Sequence, residues 1–355
     1  MSKSWRNVLM QPHQSIREAL FLLNKEALRV VLVVDDTEHL LGVVSDGDVR
    51  RGLLRNLPLE APVSEIMNNS PIIATKEASK KDLLDAMVQK SILAIPLVDD
   101  GKVVGLEVFQ ATSGARQFQN PVFIMAGGFG ARLKPLTDHC PKPMLKIGDK
   151  PILETMLLSF INAGFVNFYI STHYLPELIR EHFGDGGRWN ININYVHEDI
   201  PLGTGGALGL LPKDILDLPV IMINGDVLTT VDYEQLLAFH YTNNAAATMC
   251  VREYEYQIPY GVISGVGNSV VSIEEKPIQR FFVNAGIYVL NKQIIQTVPL
   301  NHRIDMPTLL QMHIAQQAKV LMFPIHEYWL DIGRMDDFKK AHEIIGALFH
   351  DNVAN

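Results

Sequence analysis

Cysteine is almost absent: Cys140 and Cys250 are the only two in 355 residues, far apart and without metal-ligand spacing, which excludes a disulfide framework and a zinc site. The sequence has no surplus of positive charge either, with 31 Lys and Arg against 39 Asp and Glu, a net charge of -8 and a pI near 5.8. A nucleic-acid partner needs clustered Lys and Arg, so it is excluded as a class, and any anionic ligand must be small. No run approaches the roughly 18 apolar residues of a membrane span. The N-terminal MSKSWRNVLMQPHQ lacks the apolar core and cleavage site of a signal peptide, so no membrane partner and a cytoplasmic location are expected. Low-complexity tracts are missing too. With 47% hydrophobic and 20% charged residues, nearly all of the chain can fold, and its length suits two or three domains of roughly 100 to 200 residues each.

What is present first is a repeat. VVDDTEHLLGVVSDGDVRR from Val33 is echoed about 63 residues later by LVDDGKVVGLEVFQATSG from Leu97. Each copy reads as a strand, an acidic turn and a second strand from a glycine, preceded by an amphipathic helix, Ser15 to Leu23 or Lys80 to Gln89. This β-α-β pattern resembles a tandem of cystathionine-β-synthase (CBS) domains over residues 1–116, divided at about residue 58. In that family a Gly-x-x-Ser/Thr-x-x-Asp segment ends the strand, and its Asp accepts from the ribose hydroxyls of an adenine nucleotide. Gly42, Ser45 and Asp48 match it, whereas Val108 and Ala111 replace the polar groups in the second copy. The resemblance therefore implies one regulatory adenine-nucleotide site, at Ser45 and Asp48, to be weighed against a purely structural or dimerising pair. A homo-oligomer is expected.

Ser113 to Asn120 is polar and aperiodic and reads as a linker, which sets the boundary at residues 117–121 with a new domain over residues 122–355. From Val122 strands and helices alternate, which predicts an α/β fold with a Rossmann-like, mostly parallel sheet. Pro151 to Ala163 illustrates the reading: Pro151 suits the first turn, Ile152, Leu153, Met156, Leu157, Phe160 and Ile161 form one stripe, and Gly164 ends the helix.

The richest segment is MAGGFGARLKPLTDHCPKPMLKIGDKPILE, Met125 to Glu154, between a strand and a helix. Its glycines let backbone amides approach a polyphosphate, and Arg132 and Lys142 bring positive charge. Leu133 stands where a dinucleotide fingerprint needs its third glycine, and no Gly-Lys-Ser/Thr occurs, so hydride transfer and a Walker-type NTPase lose ground. Gly-Gly-x-Gly-x-Arg-Leu-x-Pro-Leu-Thr with a following Pro-Lys-Pro resembles the signature of sugar-nucleotide pyrophosphorylases, and the resemblance extends over residues 121 to about 345. It implies that Ala126, Gly127 and Gly128 bind the nucleotide, that Arg132 and Lys142 act on its phosphates, and that a loop with Glu198, Gly203, Thr204 and Gly205 holds the base. A carboxylate accepts well from the two donors of the guanine edge, so Glu198 favours GTP.

Asp226 follows the apolar strand PVIMIN and Asp331 ends a second short strand. Carboxylates at strand ends suit a hard cation, and the resemblance makes this pair the ligands of Mg²⁺. It also assigns Gly261, Glu275, Lys276 and Asn284 to the sugar phosphate. Phe160, Tyr169 and Phe239 are expected in the core, and the twelve histidines show no ligand spacing.

The reaction so implied joins a nucleoside triphosphate and a sugar 1-phosphate and releases pyrophosphate, without a protein nucleophile or strong base. Alanine at Arg132 or Asp226 is expected to lower turnover by orders of magnitude with folding intact. A CBS tandem before such a domain most resembles the glucosamine-1-phosphate guanylyltransferases of legionaminic acid synthesis. Mannose 1-phosphate, a heptose 1-phosphate, a cytidylyltransferase acting on a non-sugar phosphate and an idle nucleotide-sugar sensor are the alternatives.

Overall fold

Val30–Val34 is five apolar residues in a row and all five are buried, because this strand is the centre of a three-stranded sheet. Leu9–Met10 pairs with it in parallel and Leu40–Ser45 antiparallel. In this computed structural model, which describes residues 4–26, 28–90, 92–109, 117–212 and 217–349, the chain divides into two units, residues 1–114 and 115–355.

The first unit holds the duplicated module. Helix Ile16–Glu26 buries Ile16, Ala19 and Leu20 at helical spacing, and the second copy supplies helix Lys80–Lys90 with the antiparallel pair Ala94–Asp99 and Lys102–Val108. The acidic turns of the two copies meet: the Leu40 amide donates to the Gly101 carbonyl at 2.9 Å and the Val103 amide to that of Glu38 at 3.1 Å. Val103 packs in one apolar cluster with Val30, Leu32 and Val43, so the copies share a core. Each second strand starts before the glycine expected to begin it, at Leu40 and Lys102, since the ladders extend to Val34–Leu40 and Asp99–Lys102.

The second unit is built on seven strands: β1 (Val122–Met125), β2 (Asn167–Thr172), β3 (Asn192–His197), β4 (Val220–Asn224), β5 (Ala247–Gln257), β6 (Ile278–Leu290) and β7 (Val320–Ile325). Their order is β3-β2-β1-β4-β6-β5-β7. β3, β2, β1 and β4 run parallel, β6 is antiparallel to both neighbours, and β5 and β7 are parallel to each other. Helices sandwich this sheet, which explains near-continuous apolar strands such as Val-Ile-Met-Ile in β4. β5 and β6 run past the sheet and lead into an exposed hairpin, Gly261–Val266 with Ser269–Glu275.

The helix expected from Pro151 spans Ile152–Asn162, with Pro151 as the residue before its first turn. Its stripe lies in the core except for Ile161, which is half-buried. Phe160 is fully buried, stacks on Tyr233 at 3.8 Å between ring centres and meets Phe165 and Phe168 edge-on. Phe160→Ala should destabilise the second unit by about 3–5 kcal/mol, read from its urea midpoint; a change under about 1 kcal/mol would show that the site collapses around the gap. Tyr169 and Phe239 are partly buried against the core.

The linker reading fails over its described part. Phe118 stacks on Phe165 at 4.9 Å, and the buried Asn120 donates to the Pro219 carbonyl at 2.8 Å. These residues belong to the second unit, although their neighbours in sequence are polar. Ser113 to Arg116 lie outside the described residues, as does Ala111.

Candidate active site

Open parallel sheets present ligands at the carboxyl ends of their strands. Here β1, β2, β3 and β4 run directly into Ala126, His173, Glu198 and Gly225-Asp226, and a cleft of about 270 Å³ opens there. It is lined by Gly127, Gly128, Lys142, Glu198, Gly203, Thr204 and Asp226 from the sequence reading, together with Met125, Phe129, Pro143, Pro201, Asn224 and Gly225.

The glycine loop is shaped by close approaches. A Cβ at Gly127 would lie 2.8 Å from Glu198 Oε1. At Gly130, where φ is +62°, it would lie 2.8 Å from Thr137 Cγ2 and 2.9 Å from Lys142 Cβ. Gly128 has open space around it, leaving its backbone accessible from the cleft. Ala126 is fully buried and its amide donates to the Ser171 carbonyl at 3.1 Å, so this amide continues the sheet.

Asp226 and Asp331, 105 positions apart in sequence, become neighbours through a two-stranded ladder. Val227–Thr229 pairs antiparallel with Trp329–Asp331, Val227 faces Asp331, and the Ile332 amide donates to the Asp226 carbonyl at 3.0 Å. Burial raises the pKa of Asp331, the Asp226 charge raises it further, and Lys142 and Arg132 pull it back. Lys142, 7% exposed, forms an ion pair with Asp226 Oδ2. Asp226 Oδ1 is buried without a partner. Two adjacent carboxylates with a spare buried oxygen fit a hard divalent cation such as Mg²⁺. Arg132 is exposed, and its guanidinium approaches to 3.7 Å of where a Cβ at Gly333 would stand, beside Asp331.

Glu198 is 3% exposed. Its Oε2 accepts from the Leu202 amide at 3.0 Å, and its Oε1 is buried without a partner. The loop after it is anchored from behind. The Thr204 amide donates to Asp305 Oδ1 at 3.0 Å, the Thr204 hydroxyl accepts from the Met306 amide at 2.9 Å, and the Gly205 amide donates to the Ile304 carbonyl at 2.9 Å. The Thr204 hydroxyl and the Gly205 amide thus hold the loop to the start of helix Met306–Ala315.

The sugar-phosphate candidates lie apart from this lining. Gly261 and Glu275 face each other across the exposed hairpin, and Lys276, in a left-handed conformation with φ +48°, donates its amide to the Tyr260 carbonyl at 3.2 Å. Asn284 on β6 donates to the Tyr288 hydroxyl at 2.6 Å and accepts from the Gly286 amide at 2.9 Å. Gly286 packs against Asn224 in the cleft, and Asn224 Oδ1 is also buried without a partner.

In the first unit, Ser45 and Asp48 form a capping box at the start of helix Asp46–Leu54. Asp48 Oδ2 accepts from the Ser45 amide at 2.8 Å and hydroxyl at 2.6 Å, and Oδ1 pairs with Arg51 at 2.5 Å. Oδ1 keeps a further lone pair with which it can accept from a ribose hydroxyl. Asp48→Ala should cost the first unit about 1 kcal/mol of cap stability, read from its urea transition; an unchanged midpoint would mean that the helix start is held by packing alone.

A Mg²⁺-type carboxylate pair, a basic glycine loop and a buried acceptor in one cleft of a parallel sheet define a nucleotide-binding α/β domain. The chain belongs to the nucleotidyl transferase family, whose model matches residues 122–347, and CBS domain models match residues 5–55 and 63–106. Among curated relatives, the mannose-1-phosphate guanyltransferase of Yarrowia lipolytica is 34% identical over 225 residues, covering 61% of this chain and 61% of that protein. The mannose-1-phosphate guanylyltransferase of Mycobacterium tuberculosis is 32% identical over 228 residues, covering 61% and 62%. The match thus spans about three-fifths of the length of these relatives. Among solved structures, HddC from Yersinia pseudotuberculosis complexed with GMP-PN is 28% identical with a TM-score of 0.51, covering 63% of this chain and 99% of that one.

Proposed function

We propose that the chain transfers GMP from GTP to a sugar 1-phosphate, with mannose 1-phosphate as the first candidate, giving a GDP-sugar and pyrophosphate. The observation that carries this reading is the buried Glu198 carboxylate, with one unpartnered oxygen, in the same cleft as the Lys142–Asp226 pair. The guanylyltransferase names of the relatives and the GMP-PN complex of HddC support guanine.

In the proposed step a phosphate oxygen of the sugar 1-phosphate forms a bond to the α-phosphorus of GTP, and the bond from that phosphorus to the β-phosphate bridging oxygen breaks. The attacking oxygen is already anionic near neutral pH, so positioning and charge neutralisation lower the barrier. Gly127 and Gly128 leave room for the triphosphate, Arg132 and Lys142 supply positive charge to it, and Glu198 accepts from the guanine edge. Asp226 and Asp331 would hold Mg²⁺, which would supply further neutralisation of phosphate charge. Gly261, Glu275 and Lys276 at the exposed hairpin and Asn284 on β6 receive the sugar phosphate.

Glucosamine 1-phosphate is the second reading, supported by the CBS pair in front of the transferase domain. Presenting the full chain with GTP and an equimolar mixture of the two sugar phosphates separates them: the mass of the product should be that of GDP-mannose. GDP-glucosamine alone would reverse the order, and product from neither would leave another sugar 1-phosphate, a heptose 1-phosphate first, or a nucleotide-sugar sensor. An adenine nucleotide at Ser45 and Asp48 would act by shifting activity or assembly; unchanged kinetics and mass with saturating AMP or ATP would leave the CBS pair as a scaffold for a homo-oligomer. Among the described residues no helix is long and apolar enough to cross a membrane.

A further inference from the structure

His173 follows the last residue of β2 as Glu198 follows the last residue of β3, and the two strands are adjacent and parallel. The His173 Nδ1 lies 2.6 Å from the Glu198 carbonyl oxygen. A carbonyl only accepts, so Nδ1 carries the proton. Glu198 is therefore held at three points: its amide by the Thr172 carbonyl at 2.8 Å, its carbonyl by His173 and one carboxylate oxygen by the Leu202 amide. These fix where the second, unpartnered oxygen points.

The same imidazole also borders the phosphate loop. A Cβ at Gly127 would lie 2.8 Å from Glu198 Oε1 and 3.3 Å from His173 Cβ, so both residues crowd the same side of the Gly127 backbone. Phe129, which lines the cleft and is 49% exposed, meets the His173 ring edge-on at 5.0 Å and leans on Tyr174 at 5.8 Å. The Tyr174 hydroxyl donates to the Asp138 carbonyl at 2.8 Å, further along the same loop. One side chain thus touches the segment that reads the base and the segment that receives the phosphates.

We infer that His173 is a positioning residue for guanine recognition: by donating to the Glu198 carbonyl it aims the Glu198 carboxylate at the base and keeps that residue in register with the glycine loop. The inference rests on the reading of Glu198 as the guanine acceptor.

GTP and ITP differ only in the 2-amino group of the purine, so the ratio of their dissociation constants reports one donor of the guanine edge. Calorimetric titration of the full chain with each nucleotide in Mg²⁺ gives this ratio without depending on turnover. The wild type should prefer GTP, and Glu198→Gln should lower that preference. His173→Ala should weaken GTP by about tenfold, the loss of one well-placed hydrogen bond, and ITP by clearly less. His173→Asn places an amide N–H near the position of Nδ1 and should recover most of the preference while lacking the ring against Phe129. Two outcomes overturn the inference: His173→Ala with an unchanged ratio, including equal weakening of both nucleotides, which is what a merely structural residue would give, or His173→Asn no better than His173→Ala. A wild-type-like ratio in Glu198→Gln would instead remove the guanine reading itself and the inference with it, a signature that none of the His173 results produces. Unfolding midpoints of each variant show that the comparison is between folded proteins.

Discussion

Asp226→Asn is expected to reduce turnover on the order of a hundred- to a thousand-fold, the usual size of losing one group that stabilises charge in a transition state, with little change in the unfolding midpoint. Asparagine keeps the shape of the side chain, and its amide oxygen can still accept from Lys142. What disappears is the negative charge beside Asp331 and the free carboxylate oxygen, the two features that fit a hard cation. Alanine at the same position is a different experiment. Lys142 is 7% exposed and paired with Asp226, and removing its partner leaves a buried ammonium at a cost of roughly 3 kcal/mol. The expectation from sequence that alanine leaves folding intact is therefore corrected for Asp226: Asp226→Ala should lose stability as well as activity. Pyrophosphate release against Mg²⁺ concentration, with calorimetric unfolding of both variants, checks this. Near-normal rates in Asp226→Asn would remove Asp226 from the metal site, and equal stability of the two variants would mean that Lys142 finds another partner.

Arg132→Ala should cost a comparable factor in turnover and leave stability within about 0.5 kcal/mol of the wild type. The difference from Lys142 is visible in the structure. Arg132 is exposed, and among the described residues no hydrogen bond or ion pair of its side chain occurs, while its charge reaches Asp331. An arginine that the fold does not use, placed beside the proposed metal carboxylates, is available to phosphate. Steady-state rates with GTP, together with a urea transition, give both quantities. A variant that turns over normally would show the charge to be dispensable, and one that unfolds early would show Arg132 to be structural.

Much of this site was legible in the sequence because the signals were local. Glycines around Gly127, a basic pair at Arg132 and Lys142, and aspartates just after one strand and at the end of another suggest a phosphate loop and a metal pair without any knowledge of strand order. The proximity of Asp226 to Asp331 was suggested by resemblance, but it comes about through the ladder between Val227–Thr229 and Trp329–Asp331, which spacing cannot show. His173 and Asn224 were missed for the same reason. Each is an ordinary residue at a strand end, and its place in the site depends on β2 and β4 flanking β1. Asn224 did carry a local hint, standing immediately before Gly225 and Asp226.

Two polar residues with a ligand reading also have their side chains engaged by the fold. The Thr204 hydroxyl tethers its loop to Met306, and both oxygens of Asp48 are engaged by Ser45 and Arg51. The latter was readable: a serine followed three positions later by an acid at a helix start is the pattern of a capping box. Phe118 and Asn120 looked like linker because their neighbours are polar, yet one aromatic stack and one buried amide tie them to the second unit. Periodicity is blind to single anchors of this kind.

The most direct test is pyrophosphate release by the full chain with Mg²⁺, measured over GTP, ATP, UTP and CTP, each with mannose, glucosamine, glucose and heptose 1-phosphates. Release that requires Mg²⁺, GTP and one sugar phosphate together is the expected result. Release with UTP or CTP in preference to GTP would contradict Glu198 as the guanine acceptor, and silence across the whole set from folded protein would contradict the transferase reading itself.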